Sequence, residues 1–230
     1  MRRILGPLLI GILGTAVLIA LGVWQVQRLA WKEGVLADIE ARIAAEPVPL
    51  PAEPDPEADR YLPVAVSGEI GEDELHVLVS TRAEGAGFRV IAPLSTEAGR
   101  RVMVDRGYVR NEAKEADRPT GAADIVGNLH WPDEVDGFTP EPDPDANIWF
   151  ARDVPRMAEA LGTEPVLVVV RETSLSAPGL TPLPVDTAGI PNDHLEYAVT
   201  WFGLAAVWAA MSMFLVWRTL GRTGRRDTRS

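Results

Sequence analysis

The sequence predicts a membrane protein in which two transmembrane α-helices at the chain ends flank a mainly antiparallel β domain. That domain is a small barrel or a sandwich and carries one short helix. Three observations carry this. Residues 4–23 and 198–217 are each a run of twenty without a charge, and at about 1.5 Å rise per residue such a run spans the roughly 30 Å of a bilayer's hydrocarbon core. Between them, short β-like runs alternate with turn signals. Charge divides in the same way. The two tails hold seven arginines against one aspartate, a net +6, while the segment between the apolar runs holds 15 basic and 32 acidic residues, a net −17.

The elements follow in order. Residues 1–3 and the basic tail 218–230 are predicted to be cytoplasmic, because positive flanks stay on that side of the membrane. The acidic segment then lies outside, in the periplasm, with the chain in a bacterial inner membrane. The run 4–23 is read as an uncleaved anchor. It is longer than a usual signal-peptide core, and it leads into the bulky "LGVWQVQRLAWK" instead of a small-residue cleavage site. Residues 24–60 continue a helical period to about Glu46, then place five prolines between Pro47 and Pro56, an extended spacer. Residues 61–172 form the β domain, with strands expected in "YLPVAVSGEI", "ELHVLVS", "FRVIAPLST", "RRVMVDRGYV", "ADIVGNLHW", "NIWFARD" and "VLVVVRE". The short helix "VPRMAEALG" has Asp153 as N-cap and Gly162 as C-cap. Residues 173–197 return the chain to the membrane, and 198–217 cross it again.

Several functions are excluded. A domain at −17 does not bind a nucleic-acid backbone. Without cysteine there is no disulfide, thiol catalysis or thiolate metal site. No nucleophile elbow, zinc-protease helix or phosphate-cradling loop occurs, so the chain is not predicted to be an enzyme. His76 and His130 sit at polar positions of β-like runs and read as surface or satisfied histidines, without zinc spacing.

His194 is different. Asn192 and Asp193 are good N-cap residues, which puts His194 in the first turn of the second membrane helix. Tyr197, Trp201 and Trp208 follow at i+3, i+7 and i+14, a single stripe that continues through Leu204, Met211 and Leu215. The aromatic residues are read either as interfacial anchors or as the wall of a site. Small residues at Ala205/Ala209 and Ala206/Ala210 offer a packing face. The first helix exits with Trp24, Arg28 and Trp31 on one face and Gln25, Arg28 and Lys32 on a neighbouring stripe. Arg28 and Lys32 are read either as snorkelling cations or as an anion site beside His194. An imidazole for iron, aromatic residues for a ring and cations for carboxylates would suit a haem, with His194 as the ligand and Tyr197, Trp201, Trp24, Gln25 and Arg28 around it.

Read together, these segments resemble the Surfeit locus protein 1 family of cytochrome c oxidase assembly factors. The likeness runs through "LGVWQVQRLAWK", "GFRVIAPL", "VMVDRGYV", "GFTPEPDPDANIWFARDVPRMAEALG" and "NDHLEYAVTWFGLA", nearly the whole chain. Tyr108 stands where the family usually has tryptophan. The resemblance implies help in maturing oxidase subunit I at its haem a sites, with haem a received from haem a synthase and bound between the two transmembrane helices at His194. The alternative it leaves open is a membrane adaptor or accessory subunit that holds no haem.

Overall fold

The computed structural model describes residues 2–227, with helix side chains described over 5–220. Met1 and residues 228–230, parts of the two predicted tails, lie outside the described residues, as do the side chains of Arg222, Arg225 and Arg226. The chain divides into two compact units: Met1–Asp38 with Ala188–Ser230, and Ile39–Thr187.

The first unit is a helix pair. Helix α1 runs unbroken over Arg2–Ile43 and helix α3 over His194–Asp227. Within them, Leu5–Ile43 and His194–Leu220 are long and apolar enough to cross a membrane. Lipid tails give no hydrophobic drive for helices to associate, so packing must do it, and small residues allow the closest packing. The less exposed positions of α1 are Gly11, Leu18, Gln25 and Lys32, spaced by seven, with Gly22 and Leu29 between them. Those of α3 are Ala198, Ala205, Ser212 and Thr219, also spaced by seven, with Trp201 between the first two and His194 one turn ahead of them. A repeat of seven is the seam of a left-handed pair.

The fit is tight and antiparallel. A Cβ at Gly11 would stand 2.7 Å from Ser212 Cβ, one at Gly22 would stand 2.7 Å from the Phe202 ring, and one at Gly14 would run into the Trp208 indole. The seam therefore differs from the stripe expected from the sequence. Tyr197, Leu204 and Met211 face outward, while Ala198 and Ala205, one position on, are buried. Large side chains hold the backbones apart, so the helix turns its small ones inward. Ala206 and Ala210 are also exposed, and Ala205 carries the packing that the paired small-residue motifs suggested. With no native cysteine to compete, cysteines placed at Gly11 and Ser212 should cross-link on oxidation once the helices part by about 1 Å. A pair at Ile12 and Met213 should not, and non-reducing electrophoresis reads the difference.

The second unit is one seven-stranded sheet: β1 Val48–Pro49, β2 Pro63–Ile70, β3 Leu75–Thr81, β4 Gly85–Thr96, β5 Arg101–Arg110, β6 Gly121–Leu129 and β7 Leu167–Thr173. The order is β1-β2-β6-β7-β5-β4-β3, and β2 also pairs with β4 through Gly68–Thr96 to Ile70–Leu94. The sheet is mixed, because β1 runs parallel to β2 and β7 parallel to β5. A parallel neighbour requires a crossover, and residues 111–166, which contain β6 and the short helix α2, Val154–Leu161, provide it. The two sides of β5 and β7 face different packing. Val102, Val104, Val168 and Val170 join one core, whereas Met103 and Leu167 meet α2 through Met157 and Leu161. Helix α2 has the expected ends: the Asp153 side chain accepts from Arg156 N at 3.3 Å, and Gly162 adopts the left-handed conformation at φ 61°.

Two expected elements change. "NIWFARD" is not a strand. Asp143 and Ile148 close a tight turn with reciprocal 2.9 Å bonds and Asn147 takes φ 47°, so only single bridges form, one of them between Trp149 and Val77. The proline-rich spacer is extended as expected, but it lies on the sheet, through β1 and through the Pro51 carbonyl, which accepts from Arg100 at 2.5 Å.

Segment 174–187 also belongs to the folded unit. Tyr108 and Thr181 exchange backbone bonds of 2.7 and 2.9 Å. The Thr181 carbonyl sits where a side chain at Gly107 (φ 117°) would go. A fragment of residues 39–187 should therefore unfold cooperatively with a β-type circular dichroism spectrum. One trimmed to 57–173 loses β1 and the Thr181 pairing and should melt several degrees lower.

Candidate functional site

In the helix pair the seam's glycines and alanines give way to polar side chains where the apolar run of α1 ends. Gln25 is 8% exposed there, three residues beyond Gly22. The antiparallel register that sets Gly22 against Phe202 brings Gln25 to the first turn of α3. His194 Nδ1 lies 2.8 Å from Gln25 Oε1. An amide oxygen can only accept, so Nδ1 is the donor in this contact and Nε2 is the ring nitrogen left outside it. The contact fixes the orientation of the imidazole, as the second-nitrogen hydrogen bond of metal-binding histidines does. Beside it, the Asp193 carbonyl accepts from Tyr197 N at 3.2 Å, and Asn192 Oδ1 is buried without a hydrogen-bond partner.

The other residues expected here divide. Trp201 is half-buried along the seam with His194. Trp24 and Tyr197 are each more than half exposed and present aromatic faces outward. The Arg28 guanidinium lies 3.8 Å over the Trp31 ring centre, a cation–π stack that steadies the charge on the outer face of α1. Trp208 does not belong to this group: its indole lies across Gly14, well along the helix. Between Gly11 and Gly22 the helices are in contact, so a flat cofactor has no room between them over that stretch. An apolar groove of about 540 Å³, lined by residues that include Pro7, Ile10, Met211 and Phe214, lies at the opposite end and has no histidine in its lining.

The β unit contains a charged cluster that the sequence reading missed. Asp105, fully buried, accepts from Arg89 Nη1 at 2.6 Å and from Gly107 N at 3.1 Å, with Arg152 Nη1 at 3.7 Å. Arg152 also clasps Glu134, with Nη2 2.5 Å from Oε1. Burial pushes the Glu134 carboxyl up, but Arg152 outweighs it and holds the group below its usual range. A buried charge must be paired, so this cluster reads as the tie between strands β4 and β5 and the loop at 134. The signal that could have found it is the pair of charges in the middle of "VMVDRGYV", where a strand buried on both faces should have none.

Neither other histidine lies on the open surface. His76 is 3% exposed, with Nε2 2.9 Å from Glu74 Oε1. His130 stacks on Tyr61 at 5.4 Å, and burial followed by the charge of Arg152 lowers its pKa from 6.5 to about 4. Between pH 6.5 and 4 the unfolded chain therefore binds a proton at His130 that the folded unit does not, so stability falls as pH falls through that window. At about 1.4 kcal/mol per pH unit, denaturant unfolding of the 39–187 fragment at pH 4.5 should show a loss of about 2–3 kcal/mol relative to pH 6.5. His130→Phe should flatten that part of the curve.

Comparison with known proteins covers the same segments. The chain matches the SURF1 family over residues 12–206. It is 34% identical over 210 residues to Surfeit locus protein 1 of Homo sapiens, covering 81% of this chain and 69% of that one. With Surfeit locus protein 1 of Rattus norvegicus the identity is 31% over 209 residues, covering 81% of this chain and 68% of the other. With a SURF1-like protein of Monosiga brevicollis it is 30% over 226 residues, covering 90% of this chain and 86% of the other. The matched stretch includes both Gln25 and His194.

Proposed function

This chain belongs to the SURF1 family, and from that we propose that it assists assembly of a haem–copper cytochrome c oxidase by holding haem a at the mouth of its helix pair for subunit I. The observation that carries the reading is the 2.8 Å contact between Gln25 Oε1 and His194 Nδ1. When bound, haem a would supply an iron that an imidazole nitrogen can hold. His194 would hold it through Nε2, with Gln25 orienting the ring through Nδ1. Tyr197 and Trp24, exposed at the mouth, give aromatic surface for a ring, and Arg28 gives a cation for its carboxylates. The donor set thus fits the group at the helix mouth, with the helices in contact below it.

The rest of the reading rests on family and charge. The positive tails favour cytoplasmic termini in a bacterial inner membrane with the β unit in the periplasm. Haem a would come from haem a synthase, a second membrane partner. A second reading is supported by the closed glycine seam: the pair would serve as a rigid adaptor that docks on the oxidase and holds no haem.

Purification of the full chain in detergent, at equal membrane protein level, separates the two. The wild type should carry a-type haem. His194→Ala should lose most of it while still inserting. Arg28→Ala should weaken binding tenfold to a hundredfold, in line with the roughly 1.5–3 kcal/mol of a charge-assisted bond. Wild-type haem content and an unshifted Soret band in His194→Ala would leave the adaptor reading standing.

A further inference from the structure

A β-bulge buries an arginine that lacks an ion-pair partner. In the β4–β5 ladder Val90 pairs with Gly107 and the next residue, Ile91, with Asp105, so Arg106 is the extra residue. The bulge breaks the alternation of faces and leaves both Asp105 and Arg106 buried, at 0% and 4% exposure. Asp105 has its arginines. Arg106 has one hydrogen bond, from Nη2 to the Pro119 carbonyl at 2.9 Å, and no ion pair among the described residues.

The nearest carboxylate is already engaged. Glu74 accepts from Arg118 and lies 2.9 Å from His76 Nε2, so its charge is balanced before Arg106 is counted. Burial, opposed by Glu74 and reinforced by Arg118, pulls the Arg106 pKa below its ordinary value. Arginine does not discharge its proton in a protein, so the remaining route to neutrality is an anion.

Arg106 also lines a cavity of about 40 Å³ between the sheet and the segment 175–182. Its walls are apolar, from Ile70, Ile125 and Leu180, apart from Arg106, Thr173 and Ser176. A water needs about 10–15 Å³ on this measure, so the space takes a small ion or about three waters. We propose that this cavity is a binding site for a small monovalent anion of halide or formate size, held by the Arg106 guanidinium beneath the 175–182 segment.

The test is thermal unfolding of the full chain in detergent, titrated with sodium chloride against sodium gluconate at constant ionic strength. A saturable rise in melting temperature with chloride is expected, together with an anomalous bromide peak beside Arg106 in crystals grown in sodium bromide. Arg106→Gln should abolish the saturable part. Chloride and gluconate curves that coincide in the wild type would mean the cavity holds water only and would overturn the assignment, whether or not the variant folds. A saturable effect that survives in Arg106→Gln, or a bromide peak elsewhere, would equally overturn it.

Discussion

The close approach of two helix backbones is the constraint on which the candidate site depends. Gln25 reaches His194 because Gly22 and Ala198 bring no side chain that would hold the helices apart. The seven-residue repeat then sets the register, placing Gly11 opposite Ser212, Gly14 opposite Trp208 and Gly22 opposite Phe202. Because the order of contacts is fixed along the pair, the polar contact at the mouth is fixed as well. A slip of one turn, about 5.4 Å, would leave Gln25 buried and unpaired in an apolar setting, a loss of about 1–3 kcal/mol. The hydrogen bond therefore locks the register that the small residues permit.

This division explains what could be read from the sequence. The two apolar helices, the short helix with its Asp153 and Gly162 caps and six of the β runs are local patterns of charge, period and turn chemistry. The position of His194 and Gln25 at the edges of apolar runs was also legible, since polar residues stand out there. Their contact was not, because it depends on rotation about the helix axis. A stripe drawn through Tyr197, Leu204 and Met211 and one drawn through Ala198, Ala205 and Ser212 differ by one residue, and hydrophobicity does not choose between them. Size does, once a partner helix must come close. In the sheet, "NIWFARD" has strand composition, but the tight turn at Asp143–Ile148 decides its path.

The β5 bulge shows the same limit at the scale of one residue. In "VMVDRGYV" an unbroken alternation would send Asp105 and Arg106 to opposite sides of a strand that is covered on both. The inserted residue breaks that alternation, and both charges are buried. Asp105 then gathers Arg89 and Arg152, and Arg89 donates onward to the Leu183 carbonyl at 3.1 Å, fastening the segment after β7 to the sheet. Gly107, next in line, accepts the positive φ and leaves room for Thr181. Three consecutive residues thus determine how the 174–187 segment lies, although no periodic pattern in the sequence marks it.

The identity of the residue opposite His194 bears on what the ring can do. A carboxylate at that position would stabilise the imidazolium, whose two N–H groups leave no lone pair for a metal. A glutamine accepts the same hydrogen bond without a charge. It orients the ring and also avoids burying an anion in an apolar setting, where an unpaired charge is costly. The neutral partner thus orients the ring without favouring its charged form, and it does so through a contact that is itself a product of helix packing. Gln25→Glu would change one atom type and leave the seam intact. It should hold His194 as a charged pair and reduce its capacity as a ligand, an effect that loss of packing alone would not produce.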